Sequence, residues 1–438
     1  MKTYHIITYG CQMNENDSEK LAGILTSMGY APIESPEDAN ILIMNTCSVR
    51  ENADDKFFGH LGYYKKNRTA SDEKILAVCG CMMQQTEIVS TIRKKYPFVD
   101  IIFGTHNIHL FGQMLSKHLQ TGEMICDIWD DIDHFEENIP VKREYIHKAY
   151  ITIMNGCNNF CSYCIVPFTR GREKSRESSS IITEIKELAQ NGCKEVMLLG
   201  QNVNSYGKTL NQPKTFASLL EDVSDIDEIE RIRFMTSHPK DLTDDIISIM
   251  KERENICNHV HLPLQSGSNR ILSEMNRHYS RESYLALADK LRNAIPDLAI
   301  STDIIVGFPT ETEDDFLATL DMINKCRFDA AFTFIYSPRN GTKAAQMDQL
   351  FGKDVIQNRF NRLLELQYQI MLENAQRYKG RALEVIAEGI SKTDPQMMSG
   401  RTKTNKLVNF SGSCQIGDTV TIIVTDALTF HLTGKMIN

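Results

Sequence analysis

Short apolar segments alternate with amphipathic helices along the first third of the chain, and this alternation most constrains the fold. The apolar segments 4–8, 41–45 and 75–78 predict buried strands. A helix after the first strand is predicted to begin near Asp17 and Ser18, which are residue types that cap helix N-termini. Strands linked by crossover helices pair in parallel and are covered on both faces. The sequence therefore predicts an α/β domain with a Rossmann-like parallel sheet.

Each of these three predicted strands ends at a thiol. Cys11 and Cys47 follow the first two strands, and the third strand ends at both Cys79 and Cys81. Because the carboxyl ends of parallel strands lie along one edge of a sheet, three of these thiols are expected to converge. They would hold an iron-sulfur cluster with one iron not bound by protein. Free cysteines are also among the most buried residue types, so three inert buried thiols are the alternative.

The middle of the chain repeats the alternation of strands and helices with a longer period. Six such units predict a complete or partial (β/α) barrel of TIM type, a fold that carries its chemistry at the carboxyl ends of the strands. The candidate strands are 149–154, 195–199, 231–236, 259–262, 299–305 and 330–335. Polar residues near the strand ends would ring the mouth of the barrel, although each is equally consistent with an ordinary cap or loop residue: Gln201, Asn202, Ser237, Gln265 and Asp303.

Three cysteines, Cys157, Cys161 and Cys164, lie in one short loop after the first of these strands. An iron-sulfur cube normally takes four protein thiolates, so a loop with three leaves one iron open to a substrate or cofactor. The alternatives are a zinc knuckle, which would need a fourth Cys or His nearby, and a redox Cys-x-x-Cys pair. No His follows within the loop. The spacing and the missing fourth ligand favour the cluster.

The last segment changes to short strands separated by glycine turns, which predicts a small closed, OB-like β-barrel. Two groups of cations are candidates for contact with a phosphate backbone. A solvated helix entrance is the alternative for the first group, and a surface that favours solubility is the alternative for the second. The first group follows the cysteine loop and contains Arg170, Arg172, Lys174 and Arg176; the second lies on a predicted turn at 400–406 and contains Arg401, Lys403 and Lys406.

The length of 438 residues predicts several domains, which we place at 1–142, 143–376 and 377–438. The net charge of −9 means that any contact with nucleic acid must depend on local patches. There is no apolar run long enough to cross a bilayer and no pattern of a leader segment at the N-terminus, so we expect a cytoplasmic protein without membrane association, and a monomer. The 12 cysteines fit metal ligation in a reducing compartment.

These motifs resemble those of the radical SAM (S-adenosylmethionine) methylthiotransferases over the whole chain. Segments 8–14, 45–50 and 78–84 are similar to the three cysteine blocks of that family's N-terminal domain, and 156–171 and 199–203 are similar to its barrel. In that pattern the cysteine after Gly80 is the ligand, so the resemblance assigns Cys81 rather than Cys79. The last segment resembles the RNA-binding TRAM barrel. Segments 236–239 and 261–267 are most similar to the branch, called the MiaB type, that acts on isopentenylated adenosine in tRNA.

The resemblance implies two [4Fe-4S] clusters, one on each cysteine trio, and SAM as radical source and methyl donor. The radical abstracts hydrogen from carbon 2 of the adenine beside the anticodon (position 37), and the second cluster delivers methylthio. The target adenosine is expected to be splayed out of the anticodon loop. The predicted SAM contacts are Tyr163, Gln201, Asn202, Ser237, Gln265 and Asp303. An electron donor such as flavodoxin or ferredoxin is the further expected partner.

Rival functions remain open at the level of sequence. Other branches of the family act on threonylcarbamoyladenosine in tRNA or on an aspartate of a ribosomal protein. A radical SAM enzyme with an electron-transfer cluster and a small-molecule substrate would share the cysteines. A non-enzymatic iron-sulfur or zinc RNA-binding protein would share them too, but it would not need polar residues at six strand ends.

Overall fold

The structure is a computed structural model that describes residues 2–48, 51–67, 73–131 and 135–437. Its N-terminal part is a six-stranded parallel sheet in the order β2-β1-β3-β4-β5-β6, with helices on both faces, as predicted. The elements are β1 (Thr3–Thr8), α1 (Gln12–Ser27), β2 (Ala31–Pro32), β3 (Ile41–Thr46), α2 (Glu51–Asn67), β4 (Ile75–Gly80), α3 (Thr86–Lys95), β5 (Ile101–Phe103), α4 (Phe111–Thr121) and β6 (Ile125–Asp127).

The first helix begins earlier than the sequence predicted. Helix α1 starts at Gln12, and Cys11 is its N-cap residue, so Asp17 and Ser18 lie inside the helix and do not cap it. Asp17 is buried and binds Arg170, while Ser18 donates to or accepts from Thr8 across 2.7 Å. Both polar residues are therefore used for tertiary contacts, which a search for caps could not distinguish.

The middle of the chain forms a six-stranded open (β/α) barrel. Strands β11-β10-β7 and β12-β13-β14 form two parallel sheets, which a parallel bridge between Ile232 and Ile256 connects. One apolar core runs through both sheets. The elements are β7 (Lys148–Thr152), β8 (Met154–Asn155), α5 (Val166–Thr169), β9 (Lys174–Ser175), α6 (Ser178–Gln190), β10 (Glu195–Leu199), α7 (Phe216–Ser224), β11 (Arg231–Phe234), α8 (Asp244–Glu252), β12 (His259–His261), α9 (Asn269–Glu274), α10 (Arg281–Ala294), β13 (Ala299–Val306), α11 (Glu313–Cys326), β14 (Ala330–Ile335) and α12 (Lys353–Gln376).

The C-terminal part is a closed five-stranded barrel in the order β15-β16-β17-β19-β18. The predicted turn at 400–406 is partly wrong, because residues 400–402 belong to a strand and only the residues after them form the turn. A strand was missed there because Gly400, Arg401 and Thr402 lack an apolar alternation. The elements are β15 (Ala382–Ile390), β16 (Met398–Thr402), β17 (Leu407–Ser411), β18 (Thr419–Ala427) and β19 (Leu432–Met436).

Two buried arginines on β11 dock this small barrel against the amino-terminal end of the large one. Arg231 donates to the carbonyl of Arg401 at 2.6 Å, and Arg233 donates to the carbonyl of Thr402 at 2.8 Å. Their side chains are 0% and 2% exposed. Removing either partner would leave a buried charge or carbonyl unpaired, so the two barrels are held in a fixed relation. Among the described helices, none combines the length and apolar character that crossing a membrane requires.

Candidate metal and cofactor site

One cavity of about 690 Å³ lies between the N-terminal sheet and the mouth of the large barrel. Its wall is formed by the carboxyl ends of strands from both domains, as expected for parallel sheets. The six cysteines that the sequence predicted as ligands all line this cavity: Cys11, Cys47, Cys81, Cys157, Cys161 and Cys164. The fold therefore brings the two trios to the same space from opposite sides.

The N-terminal trio comes from three separate strand ends. Cys11 follows β1, Cys47 follows β3 and Cys81 follows β4. Gly10 permits their close approach: its φ is +122°, and a Cβ there would lie 2.3 Å from the Cβ of Cys47. Only glycine adopts this conformation without strain, so Gly10 is needed where the chain turns past Cys47.

The structure separates Cys79 from Cys81. Cys79 lies within β4, is 0% exposed and packs in the apolar core that faces α1. Burial raises the pKa of the Cys79 thiol well above its usual value. Cys81 lies one step beyond the strand and faces the cavity. Its position supports the choice of Cys81 over Cys79 as the third thiol of the trio.

Arg170 connects the two trios electrostatically. It follows α5, which immediately succeeds the barrel cysteines, yet its Nε donates to Sγ of Cys81 at 3.3 Å. Its Nη2 donates to Asp17 at 2.8 Å, and both side chains of this ion pair are about 5% exposed. Burial raises the pKa of Cys81, and the Arg170 charge opposes that rise. A hydrogen bond with Cys47 lowers the pKa of Cys11 to about 6.

The barrel trio lies on a single loop after β8, held from two directions. The φ of Gly156 is +74°, and a Cβ there would lie 2.0 Å from the carbonyl oxygen of Arg172. Arg277, from the segment after α9, donates to Sγ of Cys161 at 3.4 Å, and Asn159 donates to Sγ of Cys157 at 3.4 Å. Burial raises the pKa of Cys157, and it raises the pKa of Cys164 to about 12.

The two cysteine trios fit iron-sulfur cubes that each keep one iron free of protein. The thiols of the N-terminal trio approach one another closely, since Cys11 is hydrogen-bonded to Cys47. Backbone and side-chain donors aimed at the sulfurs, such as Arg170 and Arg277, stabilise thiolates that burial alone would keep protonated.

A ring of unpartnered oxygens at the strand ends fits a polar cofactor. The side-chain oxygens of Gln201, Ser237 and Gln265 are buried without a hydrogen-bond partner among the described residues, and all three residues line the cavity. Buried polar groups are rarely left unpaired, so a bound molecule is expected to supply the partners. Gln265 adopts a φ of +68°, a strained conformation of the kind found at ligand sites.

The other predicted cofactor residues divide between cavity and scaffold. Tyr163 and Asp303 line the cavity. Asn202 does not belong to its lining: it is 1% exposed, donates to Asp241 at 2.8 Å and accepts from the backbone N–H of His238 at 3.1 Å. Asn202 therefore positions the loop that carries Ser237.

The first group of predicted phosphate contacts is only partly presented to solvent. Arg170 is buried as described, and Arg176 is 13% exposed and pairs with Glu137 and Glu184. Arg172 is exposed and stacks over the ring of Phe160 at 4.2 Å. Lys174 is half-buried, with its ammonium 3.4 Å from Asp131. Arg172 and Lys174 are the members whose geometry leaves room for an external phosphate.

The second group lies at the opposite end of the large barrel. Arg401 lines the lower end of the cavity beside Glu388, Lys403 donates to the carbonyl of Glu254 at 3.3 Å, and Lys406 donates to the carbonyl of Asp329 at 3.0 Å. These cations contact the junction between the two barrels. Their role in binding RNA stays a prediction.

Sequence reasoning missed several residues of the site. Arg277 comes from the segment after α9, and Tyr150, Met197 and Phe332 come from the middle of strands and line the cavity. The last three could have been found from the sequence, because successive side chains of a strand point to opposite faces and every second residue therefore points into the barrel. Nothing local in the sequence marks Arg277, since it reaches Cys161 through the tertiary fold.

A parallel-strand barrel with a three-cysteine loop at its mouth, facing a second three-cysteine site, defines a radical SAM enzyme with an auxiliary cluster. Residues 151–323 match the Radical SAM superfamily, residues 3–104 match the Uncharacterized protein family UPF0004, and residues 376–437 match the TRAM domain. The match to TRAM coincides with the closed five-stranded barrel, which confirms the fold predicted for each part.

Curated relatives match the whole chain. The tRNA-2-methylthio-N(6)-dimethylallyladenosine synthase of Alkaliphilus oremlandii is 52% identical over 437 residues, covering 100% of this chain and 93% of the relative. The protein of the same name from Clostridium perfringens is 50% identical over 438 residues, covering 100% and 98%. This chain therefore belongs to the tRNA-2-methylthio-N(6)-dimethylallyladenosine synthase family of radical SAM methylthiotransferases. Its cofactors are two [4Fe-4S] clusters and SAM.

Solved structures support the fold alone. The radical S-adenosylmethionine methyltransferase TsrM from Kitasatospora setae, with cobalamin and a [4Fe-4S] cluster bound, superposes with a TM-score of 0.55 at 12% identity, covering 91% of this chain and 81% of that one. The cobalamin-dependent radical enzyme OxsB in its apo form gives a TM-score of 0.51 at 12% identity, covering 84% and 57%.

Proposed function

We propose that this enzyme methylthiolates carbon 2 of N(6)-isopentenyladenosine next to the anticodon of tRNA. The observation that carries the proposal is that both cysteine trios line one cavity. The chain is also about 50% identical, along its full length, to synthases named for that product. A substrate that enters this cavity would face both trios. A sulfur transfer that needs two centres requires that proximity.

The six cysteines are proposed as the cluster ligands, with one trio for each cluster. When bound, the cluster on the barrel trio supplies the electron that cleaves SAM, and the cluster on Cys11, Cys47 and Cys81 supplies the sulfur. Arg170 and Arg277 hold one thiolate of each trio by a charge-assisted hydrogen bond. Burial of the trios excludes water from a reactive radical.

SAM is proposed to bind against the strand ends of the barrel. The side-chain oxygens of Gln201, Ser237 and Gln265 have no partner there among the described residues. Tyr163 lies within the cysteine loop, and its hydroxyl accepts from Nη1 of Arg277 at 3.5 Å. These oxygens accept hydrogen bonds from the amino group or ribose hydroxyls of the cofactor. Asp303 lies on β13 beside Gln265, whose backbone N–H donates to the carbonyl of Asp303 at 2.8 Å, and it also lines the cavity.

We propose a separate role for each of the three domains, whose limits are 1–142, 143–376 and 377–438. The first domain carries the sulfur-donating cluster, the second carries SAM cleavage, and the third binds RNA as TRAM domains do. Arg172 and Lys174 are proposed to meet the phosphates near the mouth. We further propose that the enzyme is a cytoplasmic monomer and that it accepts electrons from flavodoxin or ferredoxin.

The test is mass spectrometry of nucleosides from tRNA incubated with the reconstituted enzyme, SAM and a reductant. Isopentenylated tRNA is expected to gain one methylthio group on the adenine. Methylthiolation of threonylcarbamoyladenosine, or of a ribosomal protein, would overturn the choice of substrate. Absence of SAM cleavage by cluster-loaded protein would overturn the enzyme class and favour a non-catalytic RNA-binding protein.

A further inference from the structure

The inward face of the large barrel changes character with depth below the cysteine trios. Its upper level consists of the polar strand ends already described. Its lowest level is an ionic floor, where Lys148 lies 3.4 Å from Glu388 and Arg233 lies 2.9 Å from Glu195. Arg401 of the small barrel lies 3.5 Å from the same Glu388. The small barrel thus closes the lower end of the cavity with paired charges.

Three residues from the middle of strands form an apolar belt on the same inward face: Tyr150, Met197 and Phe332. Tyr150 and Met197 are register partners on neighbouring strands, and all three residues line the cavity. Phe332 is 44% exposed, and Tyr150 and Met197 are half-buried. Such apolar surface would be buried in the core of a filled barrel, so its exposure to a cavity indicates an apolar ligand.

Two carboxylates stand beside this belt, Glu15 at Tyr150 and Asp303 at Phe332. Asp303 is the register partner of Phe332, so the two side chains share the inward face of adjacent strands. Its Oδ2 lies 3.4 Å from Nε2 of His261, and His261 in turn contacts Ser301 at 3.0 Å. The ring of His261 also meets the ring of Phe332 edge-on, with centroids 5.7 Å apart. This packing fixes an acceptor next to an aromatic face.

Strand β14 is the terminal strand of the open barrel, with β13 as its strand neighbour. Across the opening, the cavity wall continues with Met13 and Glu15 of α1, next to Tyr150. Within the described residues, the belt therefore lies where the sheet does not close and where α1 completes the wall of the cavity.

We propose that the belt of Tyr150, Met197 and Phe332 binds the N6-dimethylallyl group of the target adenosine, with Asp303 accepting the hydrogen bond of its N6–H. This inference rests on the proposed function and names the residues that determine its substrate specificity. The substituent is a branched hydrocarbon, which matches apolar walls, and the exocyclic N–H it leaves on the base needs an acceptor in a buried site. The ring of Phe332 packs against this hydrocarbon.

Binding of two synthetic anticodon stem–loops tests the proposal, one with N(6)-isopentenyladenosine and one with plain adenosine at the same place. Wild-type enzyme carrying both clusters is expected to prefer the first. Phe332→Ala and Met197→Ala are expected to reduce that preference about tenfold or more, since a few buried methylenes account for 10–200-fold discrimination. Affinity for the unmodified stem–loop should stay unchanged. Leu317→Ala, at an exposed leucine of α11 on the outside of the large barrel, is the control.

Asp303 has its own pair of variants. Asp303→Ala is expected to raise KM for the isopentenylated stem–loop, and Asp303→Asn, which keeps an acceptor oxygen, is expected to restore part of the loss. Iron content should match wild type in every variant, which separates substrate binding from a fault in folding. If Phe332→Ala does not fold, Phe332→Leu replaces it, with a smaller loss of preference expected.

Two outcomes would overturn the inference and leave the proposed function intact. In the first, wild-type enzyme forms methylthiolated product and the belt variants keep an undiminished preference for the isopentenylated stem–loop. In the second, the belt variants lose affinity for SAM and keep the RNA preference unchanged. Failure of wild-type enzyme to form any methylthio product on either RNA would instead contradict the proposed function.

Discussion

The two cysteine trios present the same ligand chemistry on two different scaffolds. The barrel trio lies on one loop, where residues 157–164 fix the spacing of all three thiols locally. The N-terminal trio is assembled from the ends of β1, β3 and β4, so its geometry exists only when the parallel sheet has formed. The comparison teaches that the first site can be recognised from its sequence spacing, whereas the second depends on the whole sheet.

The largest expected effect comes from removing each trio in turn. Replacing Cys157, Cys161 and Cys164 with Ala is expected to abolish SAM cleavage and product formation together. Replacing Cys11, Cys47 and Cys81 with Ala is expected to keep SAM cleavage and abolish methylthio transfer. Quantifying 5′-deoxyadenosine and modified nucleoside in the same reaction checks both. Loss of SAM cleavage in the second variant, with wild-type iron in the barrel site, would break the assignment of roles.

Variants of Arg170 test whether a residue next to the barrel trio influences the cluster on the N-terminal trio. Arg170→Gln leaves Asp17 unpaired in a buried site, so we expect the free energy of unfolding to fall by about 3–5 kcal/mol. In protein that lacks the barrel cysteines, losing the positive charge and the N–H to Cys81 should also lower the reduction potential of the remaining cluster. Redox titration followed by electron paramagnetic resonance measures this potential.

Two variants control that experiment. Arg170→Lys keeps the charge and is expected to shift the potential less, and Arg172→Gln removes an exposed cation that stacks on Phe160 and is expected to shift neither quantity. An unchanged potential in Arg170→Gln would mean that Arg170 joins the domains without influencing the cluster.

Ser237→Ala tests whether the barrel site binds SAM, and we expect a moderate effect on SAM affinity. Its hydroxyl has no partner among the described residues and lines the cavity, so removing it should leave stability unchanged. The lost hydrogen bond, worth about 0.5–1.5 kcal/mol, should weaken SAM binding by about two- to tenfold. Calorimetric titration with SAM measures the change. Ser266→Ala, at a buried serine that contacts Thr319, is the control and should reduce stability instead; equal SAM affinity in both variants would contradict the assignment.

The smallest effect is expected at Cys79, the thiol beside the N-terminal trio. Cys79→Ala is expected to retain wild-type iron and activity, with a loss of about 1 kcal/mol in stability from the core. Cys81→Ala is its matched counterpart and should lose the auxiliary cluster. Iron analysis of the two proteins side by side makes the comparison, and iron loss in Cys79→Ala would reverse the choice between the neighbouring thiols.

The sequence predicted a parallel N-terminal sheet and six barrel strands because apolar periodicity is a local signal. It did not predict the order of strands in the sheet, which depends on pairing between distant segments. It could not predict that Arg170 is buried or that Arg401, Lys403 and Lys406 lie at the junction of the barrels, because a cation on a turn looks the same whether it meets solvent or another domain. The start of α1 was misplaced for a similar reason, since Asp17 is an ion-pair partner with the composition of a cap.

Iron and acid-labile sulfide per chain, measured in anaerobically reconstituted protein, test most directly whether the two trios hold two clusters. The wild-type protein is compared with the variant in which Cys11, Cys47 and Cys81 are all Ala. We predict that the variant retains about half of the iron and sulfide, since two cubes of equal size would contribute equally. Equal iron in the two proteins would contradict the account, because the N-terminal thiols would then hold no cluster.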